Sequence, residues 1–196
     1  MLSSINKIVI NLPERTDRLE KFNQEIKYIF DDSIIIQPGI RKEPSWHGIA
    51  EAHMNCIKIA KENKWPYVLI MEDDLYIPAK EKSRKYIDEA FNKLPEDWDI
   101  LLGGVYHVKT AVKGNNYWNR IGEFCALHFY IVHERCYNQL LTWDKTNHYD
   151  RWIGRLGLKC YVPTRFFAIQ YDGYSDNVAK VTDYNNIYLK HFEILK

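Results

Sequence analysis

The stretch YVLIMEDD, residues 67–74, sets five consecutive apolar or aromatic residues, Tyr67 to Met71, directly against Glu72, Asp73 and Asp74. A short unbroken apolar run of this kind reads as a strand buried on both faces, the type found in parallel sheets covered by helices. Three adjacent carboxylates repel one another, so their place at the end of such a strand needs a physical reason. In open α/β sheets ligands bind beyond the carboxyl ends of the strands. A hard divalent cation, Mn²⁺ or Mg²⁺, takes oxygen ligands and would relieve the repulsion while bridging to a diphosphate. The alternative is a surface turn with solvated acids.

Working outward, the segments alternate in period. KIVINL (Lys7–Leu12) is short, β-branched and apolar, and Pro13 closes it. Leu19, Phe22, Ile26 and Ile29 recur at helical spacing over about 16–30, with Thr16 or Asp17 as the expected cap. SIIIQPG (33–39) is a second strand stopped by Pro-Gly, and residues 48–63 repeat the helical spacing. The run at 67–71 is the third strand, about 80–94 a charged helix, and WDILLGG (98–104) the fourth strand. This order predicts an α/β fold with a mainly parallel, Rossmann-type sheet flanked by helices.

The second half is less regular. AVKGNNYWN (111–119) reads as turn and loop, and EFCALHFYIVH (123–133) as one long strand. Helices are expected at about 134–143 and 150–156, then a strand within KCYVPTRFFAIQ (159–170) interrupted by Pro163. The Tyr- and Asn-rich tail from Asp172 is expected to be loop-like, with a short helix near its end. No repeat or linker divides the chain, so a single domain over residues 1–196 is expected, its last part (about 178–196) loop-like.

Composition narrows the classes. Lys plus Arg number 27 against 26 Asp plus Glu, a balance that gives no strong signal for nucleic acid or anionic membrane. No segment approaches the ~20 apolar residues of a membrane span, so a soluble, cytoplasmic protein is expected. The four cysteines, Cys56, Cys125, Cys136 and Cys160, form no C-x-x-C pair and read as buried or half-buried free thiols. Fourteen Tyr and six Trp serve packing in the main; Tyr106, Trp118 and Trp152 are candidates for stacking on a sugar. No glycine-rich loop follows the first strand, which argues against a sugar-nucleotide pyrophosphorylase and a Rossmann dehydrogenase.

IVINLPERTDRLEKF (8–22), followed by GIAEAHMNCIKIAKENKWPYVLIMEDDLYI (48–77), resembles the glycosyltransferases of family 25, the group that contains lipopolysaccharide-biosynthesis and collagen galactosyltransferases. The opening strand and its Leu12-Pro13-Glu14-Arg15-Thr16-Asp17-Arg18 turn match, as does a helix carrying His53 before the Glu-Asp-Asp strand; Ala52 stands where the family has Ser. WDILLGG (98–104), LHFYIV (127–132), HYDRWI (148–153) and QYDGYSDN (170–177) resemble later family segments, with Asn177 in place of Ile. The resemblance extends over about residues 7–177.

It implies a GT-A fold, a divalent metal, and inverting transfer of a hexose, glucose or galactose, from a nucleotide-sugar such as a UDP-sugar to a glycan or protein hydroxyl. For the metal it points to Asp74 with Glu72; Asp73 and Glu72 are also donor contacts, and Asp172, Asp176 or His148 would supply a further ligand. Asp150, on the HYDRW turn, is the first choice of general base and Asp176 the second; Asp150 capping the following helix is the alternative. Arg15 is favoured over Arg18 for the donor phosphates. Arg18 could instead pair with Glu14. His53, Gln170 and Ser175 complete the donor candidates. A glycosyltransferase-like domain that binds nucleotide-sugar or glycan without turnover, and a transferase acting on nucleic acid, remain as alternatives.

Overall fold

The computed structural model describes residues 5–30, 33–175, 180–184 and 193–194. In chain order the elements are β1 (Asn6–Asn11), α1 (Thr16–Ile26), β2 (Ile35–Pro38), α2 (Ser45–Glu62), β3 (Tyr67–Glu72), β4 (Leu75–Tyr76), α3 (Lys80–Phe91) and β5 (Ile100–Leu102). There follow β6 (His107–Lys113), β7 (Trp118–Cys125), β8 (Phe129–His133), a 3-10 turn at Glu134–Cys136, α4 (Tyr137–Leu140) and α5 (Tyr149–Arg155). The described chain closes with β9 (Cys160–Pro163), β10 (Arg165–Phe166), β11 (Ile169–Gln170), β12 (Gly173–Ser175), β13 (Lys180–Thr182) and β14 (Glu193–Ile194).

Eight strands make the central sheet in the order β2-β1-β3-β8-β5-β9-β7-β6. β1, β2, β3, β5, β6 and β9 point one way; β7 and β8 run against them, β8 between β3 and β5. The expected α/β architecture is thus present, with antiparallel strands worked into it.

Alternation along β3 explains its continuous apolar run. Val68 and Ile70 pack on one face with Ala50, Cys56, Ile57 and Ala60 of α2 and with α4 and α5 residues. Leu69 and Met71 pack on the other with Phe22 and Ile26 of α1 and Ile87 and Ala90 of α3. Helices on both faces leave no side of β3 for water. The four cysteines are free and buried, as expected. Among the described residues no helix is long and apolar enough to cross a membrane.

Several sequence expectations need correction. Neither Thr16 nor Asp17 caps α1: Arg15 holds the cap position with no side-chain cap bond, and Asp17 turns to Arg15. Residues 111–119 are the end of β6, a hairpin turn at 114–117 and the start of β7; β6 lies at the sheet edge, exposed along nearly all its length, so it carries no apolar signature. Residues 123–133 are two strands, broken where Ala126 takes φ +95°. The helix expected over 134–143 is a 3-10 turn and the four residues of α4. The strand expected in 159–170 is three short ones, two of which leave the main sheet to pair with β14 and β4. Part of the tail is ordered as the β12–β13 pair; the short helix expected near its end lies outside the described residues.

Gly48 lets α2 pass against the loop after β2: a Cβ there would lie 1.9 Å from the Ile40 carbonyl oxygen. Helix propensity alone favours Gly48→Ala by about 1 kcal/mol. Because the obstacle is backbone, overpacking is expected to win, with a net loss of roughly 1–3 kcal/mol. Urea unfolding checks this, and a raised midpoint would refute it.

Candidate active site

A cavity of about 460 Å³ opens at the carboxyl ends of β1, β2 and β3. The strand alternation that buries Val68 and Ile70 against α2 sends Glu72 to the same face, where its Oε1 lies 3.1 Å from His53 Nε2. Asp73 and Asp74 form the turn that follows. Asp73 Oδ2 accepts from Asn11 Nδ2 (2.7 Å) and Oδ1 from Arg18 (3.1 Å). The same Arg18 nitrogen stands 3.5 Å from Asp74 Oδ2. β11 pairs with β4 so that Gln170 faces Leu75, and Gln170 Nε2 reaches both Glu72 Oε2 (3.3 Å) and Asp74 (3.2 and 3.3 Å). The acids are therefore not solvated in a surface turn. Each has donors on the protein, and the cavity opens onto 24% of the Glu72 side chain and 16% of Asp74.

One guanidinium does not balance three carboxylates, and the acids respond differently. Burial works to raise the Glu72 carboxyl, but His53, chiefly through its hydrogen bond, outweighs it and holds it below its usual value. Asp73 is raised by burial against the pull of Arg18 and Asn11. Asp74 is pushed up to about 7 by burial and by the charges of Glu72 and Asp73. Negative charge is in surplus around Asp74.

The same cavity is lined by Tyr106, Ala126, Leu127, His148, Tyr149 and Asp150. Asp150 Oδ2 accepts the Ala126 N–H (2.9 Å) and Oδ1 the Arg151 N–H (2.7 Å). This carboxylate holds the left-handed Ala126 peptide that breaks β7 from β8, a conformation a non-glycine residue adopts only under constraint. His148 stacks on Trp46 (5.3 Å, 26°), and Tyr106 lies against Tyr184 (5.8 Å).

The cavity gathers Arg18, His53, Glu72, Asp73, Asp74, His148, Asp150, Gln170 and Ser175. Arg15, the favoured phosphate contact, does not line it; its guanidinium is bonded to Asp17 (2.9 Å at both contacts). Arg18 turns to the acids, and the described Glu14 pairing is with Arg41. Asp172 also lies off the cavity, its Oδ1 accepting the Tyr184 N–H (2.7 Å). Asp176 lies outside the described residues. Of the three stacking candidates Tyr106 lines the cavity. Trp118 is buried and donates to the Ala90 carbonyl, and Trp152 packs on Tyr149 in the core.

Sequence reading missed Asn11, Trp46 and Tyr184. Asn11 had a local signal, a polar residue ending a buried strand beside the acidic one; the other two are brought in by tertiary contacts. Among the described residues no group of three or more His, Cys, Asp or Glu side chains is arranged to hold a metal ion. Two carboxylates do converge on one point, Gln170 Nε2, and the buried Gln170 Oε1 beside them has no hydrogen-bond partner among the described residues.

No protein-family model matches the sequence, and no curated protein does. Solved structures do resemble the fold. A197 from STIV aligns with TM-score 0.53 and 12% identity over 98% of this chain and 97% of its own. A glycosyltransferase involved in the glycosylation of the major capsid of PBCV-1 aligns with TM-score 0.53 and 14% identity over 81% of this chain and 80% of its own. The chain thus has a single-domain α/β fold of the GT-A-like kind, one that glycosyltransferases use.

Proposed function

We propose that the protein is a metal-dependent inverting glycosyltransferase of the family 25 type, moving glucose or galactose from a nucleotide-sugar, UDP-linked by first choice, to a hydroxyl of a glycan or protein. The observation that carries this reading is the gathering of Glu72, Asp73, Asp74 and Arg18 with Asp150 in the lining of one cavity. A sugar transfer needs a clamp for the diphosphate and a base for the incoming hydroxyl, and these residue types supply both.

A Mn²⁺ or Mg²⁺ ion fits the donor set, because such ions are commonly held by one or two carboxylates with substrate phosphate oxygens completing the shell. Glu72 and Asp74 would hold it, aided by Gln170. Bound there, it would neutralise charge developing on the leaving diphosphate. Arg18 adds a fixed positive charge beside the same acids and is the donor-phosphate contact in this reading, in place of Arg15. Asp73, bonded to Asn11 and Arg18, holds that guanidinium in place. Asp150 accepts the proton of the acceptor hydroxyl as its oxygen bonds to the anomeric carbon and the bond to the diphosphate oxygen breaks. Tyr106 and the Trp46–His148 pair offer aromatic faces to the sugars.

The test is nucleotide release from a panel of UDP-, GDP- and other nucleotide-sugars with Mn²⁺, Mg²⁺ or EDTA. Metal-dependent release from one donor is expected. No release, together with no calorimetric binding of UDP and Mn²⁺, would refute the reading; binding without release, with a panel of acceptors supplied, would make the domain a binder.

A further inference from the structure

His53 and Tyr130 are buried, at 1% and 0% exposure, and His53 reaches the acid site while Tyr130 ends behind it. Tyr130 lies on β8 opposite Ile70 of β3, and the strand alternation points it to the face that carries α2. There His53 Nδ1 is 3.0 Å from the Tyr130 hydroxyl, while Nε2 is 3.1 Å from Glu72 Oε1. Tyr149 stacks on the imidazole at 6.0 Å and 25°, which opposes rotation of the ring.

The hydrogen-bond directions follow from chemistry. An ionised carboxylate only accepts, so His53 Nε2 must carry a proton. In the neutral ring Nδ1 is then an acceptor, and the Tyr130 O–H donates to it. The relay runs in one direction, Tyr130 to His53 to Glu72. It ties down Glu72 Oε1 and leaves Oε2 to the Gln170 amide, which also donates to Asp74.

We propose that Tyr130 and His53 are positioning residues: Tyr130 fixes the His53 tautomer, and His53 fixes which Glu72 oxygen serves the donor site. The consequence for binding rests on the transferase reading; the tautomer does not. Partners that orient a ligating side chain in this way commonly contribute 10–100-fold in affinity.

Two measurements test the proposal. Nitrogen-15 spectra of histidine-labelled protein, with the His53 signals assigned by their loss in His53→Gln, should show Nε2 protonated and Nδ1 bare. A ring protonated on Nδ1 alone, or on both nitrogens, would overturn the relay. Tyr130→Phe removes one oxygen and keeps the buried ring, so the fold should persist by circular dichroism. Its affinity for UDP in the presence of Mn²⁺ should fall about 10-fold. His53→Gln, whose amide can still donate to Glu72, should keep more affinity than His53→Leu. Equal losses in the two His53 variants, or an unchanged Tyr130→Phe, would refute the positioning role. Should the unaltered protein bind no nucleotide, the transferase reading and the donor-site role fall together, and the tautomer result is still read independently.

Discussion

Asp74→Asn is expected to lower metal-dependent turnover by a factor on the order of 100 or more, while the metal-free protein becomes less sensitive to rising pH. The first effect follows from the loss of a carboxylate where a cation would stabilise the leaving diphosphate, an interaction worth several kcal/mol. The second follows from the crowding of Glu72, Asp73 and Asp74 around a single guanidinium. Burial and its two acidic neighbours push the Asp74 carboxyl from an ordinary 3.8 to about 7. The folded protein therefore binds this proton more tightly than the unfolded chain does. The associated stability is fully present below the unfolded value and is lost as pH rises through about 7. Asparagine carries no charge at any pH, and its carbonyl can still accept from Gln170. Thermal unfolding in EDTA between about pH 4 and 8 should show a decline for the native sequence that is shallower in the variant. Added Mn²⁺ should stabilise the native sequence and not the variant. Parallel pH profiles, or undiminished turnover, would remove Asp74 from the proposed role.

The second large effect is at Asp150. Asp150→Asn is expected to reduce kcat at least ~100-fold, the usual scale for a lost general base, with donor affinity retained. The separation of effects is geometric. Asp150 lines the same cavity as the acids, but none of its described hydrogen bonds joins it to Glu72, Asp73 or Asp74. Asparagine has one acceptor oxygen and can still take the Ala126 N–H while giving up the Arg151 N–H, so the left-handed peptide beside the cavity is kept. A base and a structural clamp thus predict different results. A loss of only a few-fold, with the protein folded, would assign Asp150 to holding Ala126 and nothing more. Measuring kcat and the UDP dissociation constant on the same preparation decides between them.

The legibility of the site varied with how local its causes were. Glu72, Asp73 and Asp74 were readable because their signal, an apolar run ending in acids, lies within eight residues. The choice between Arg15 and Arg18 was not. Both follow the same strand, and only the course of α1 sets Arg18 against the acidic turn while Arg15 closes on Asp17. Gln170 and Asp172 are two residues apart, yet one faces the acids and the other turns to the Tyr184 backbone. That difference comes from the antiparallel register of β11 against β4, a pairing across about a hundred residues that no local pattern encodes.

The amino-acid sequence by itself determined the alternation of strands and helices through its first hundred residues, the burial of β3 on both faces, and the presence of acids at its end. These depend on periodicity and on the chemistry of adjacent residues, which a linear reading captures. Tertiary structure alone decided that β8 enters antiparallel between β3 and β5, bringing Tyr130 to His53. It also decided that Ala126 breaks a strand that reads as continuous, because the Asp150 carboxylate that accepts its N–H comes from a helix more than twenty residues later. Register and long-range hydrogen bonds are set by the summed packing of both sheet faces, and no single segment of the chain contains that sum.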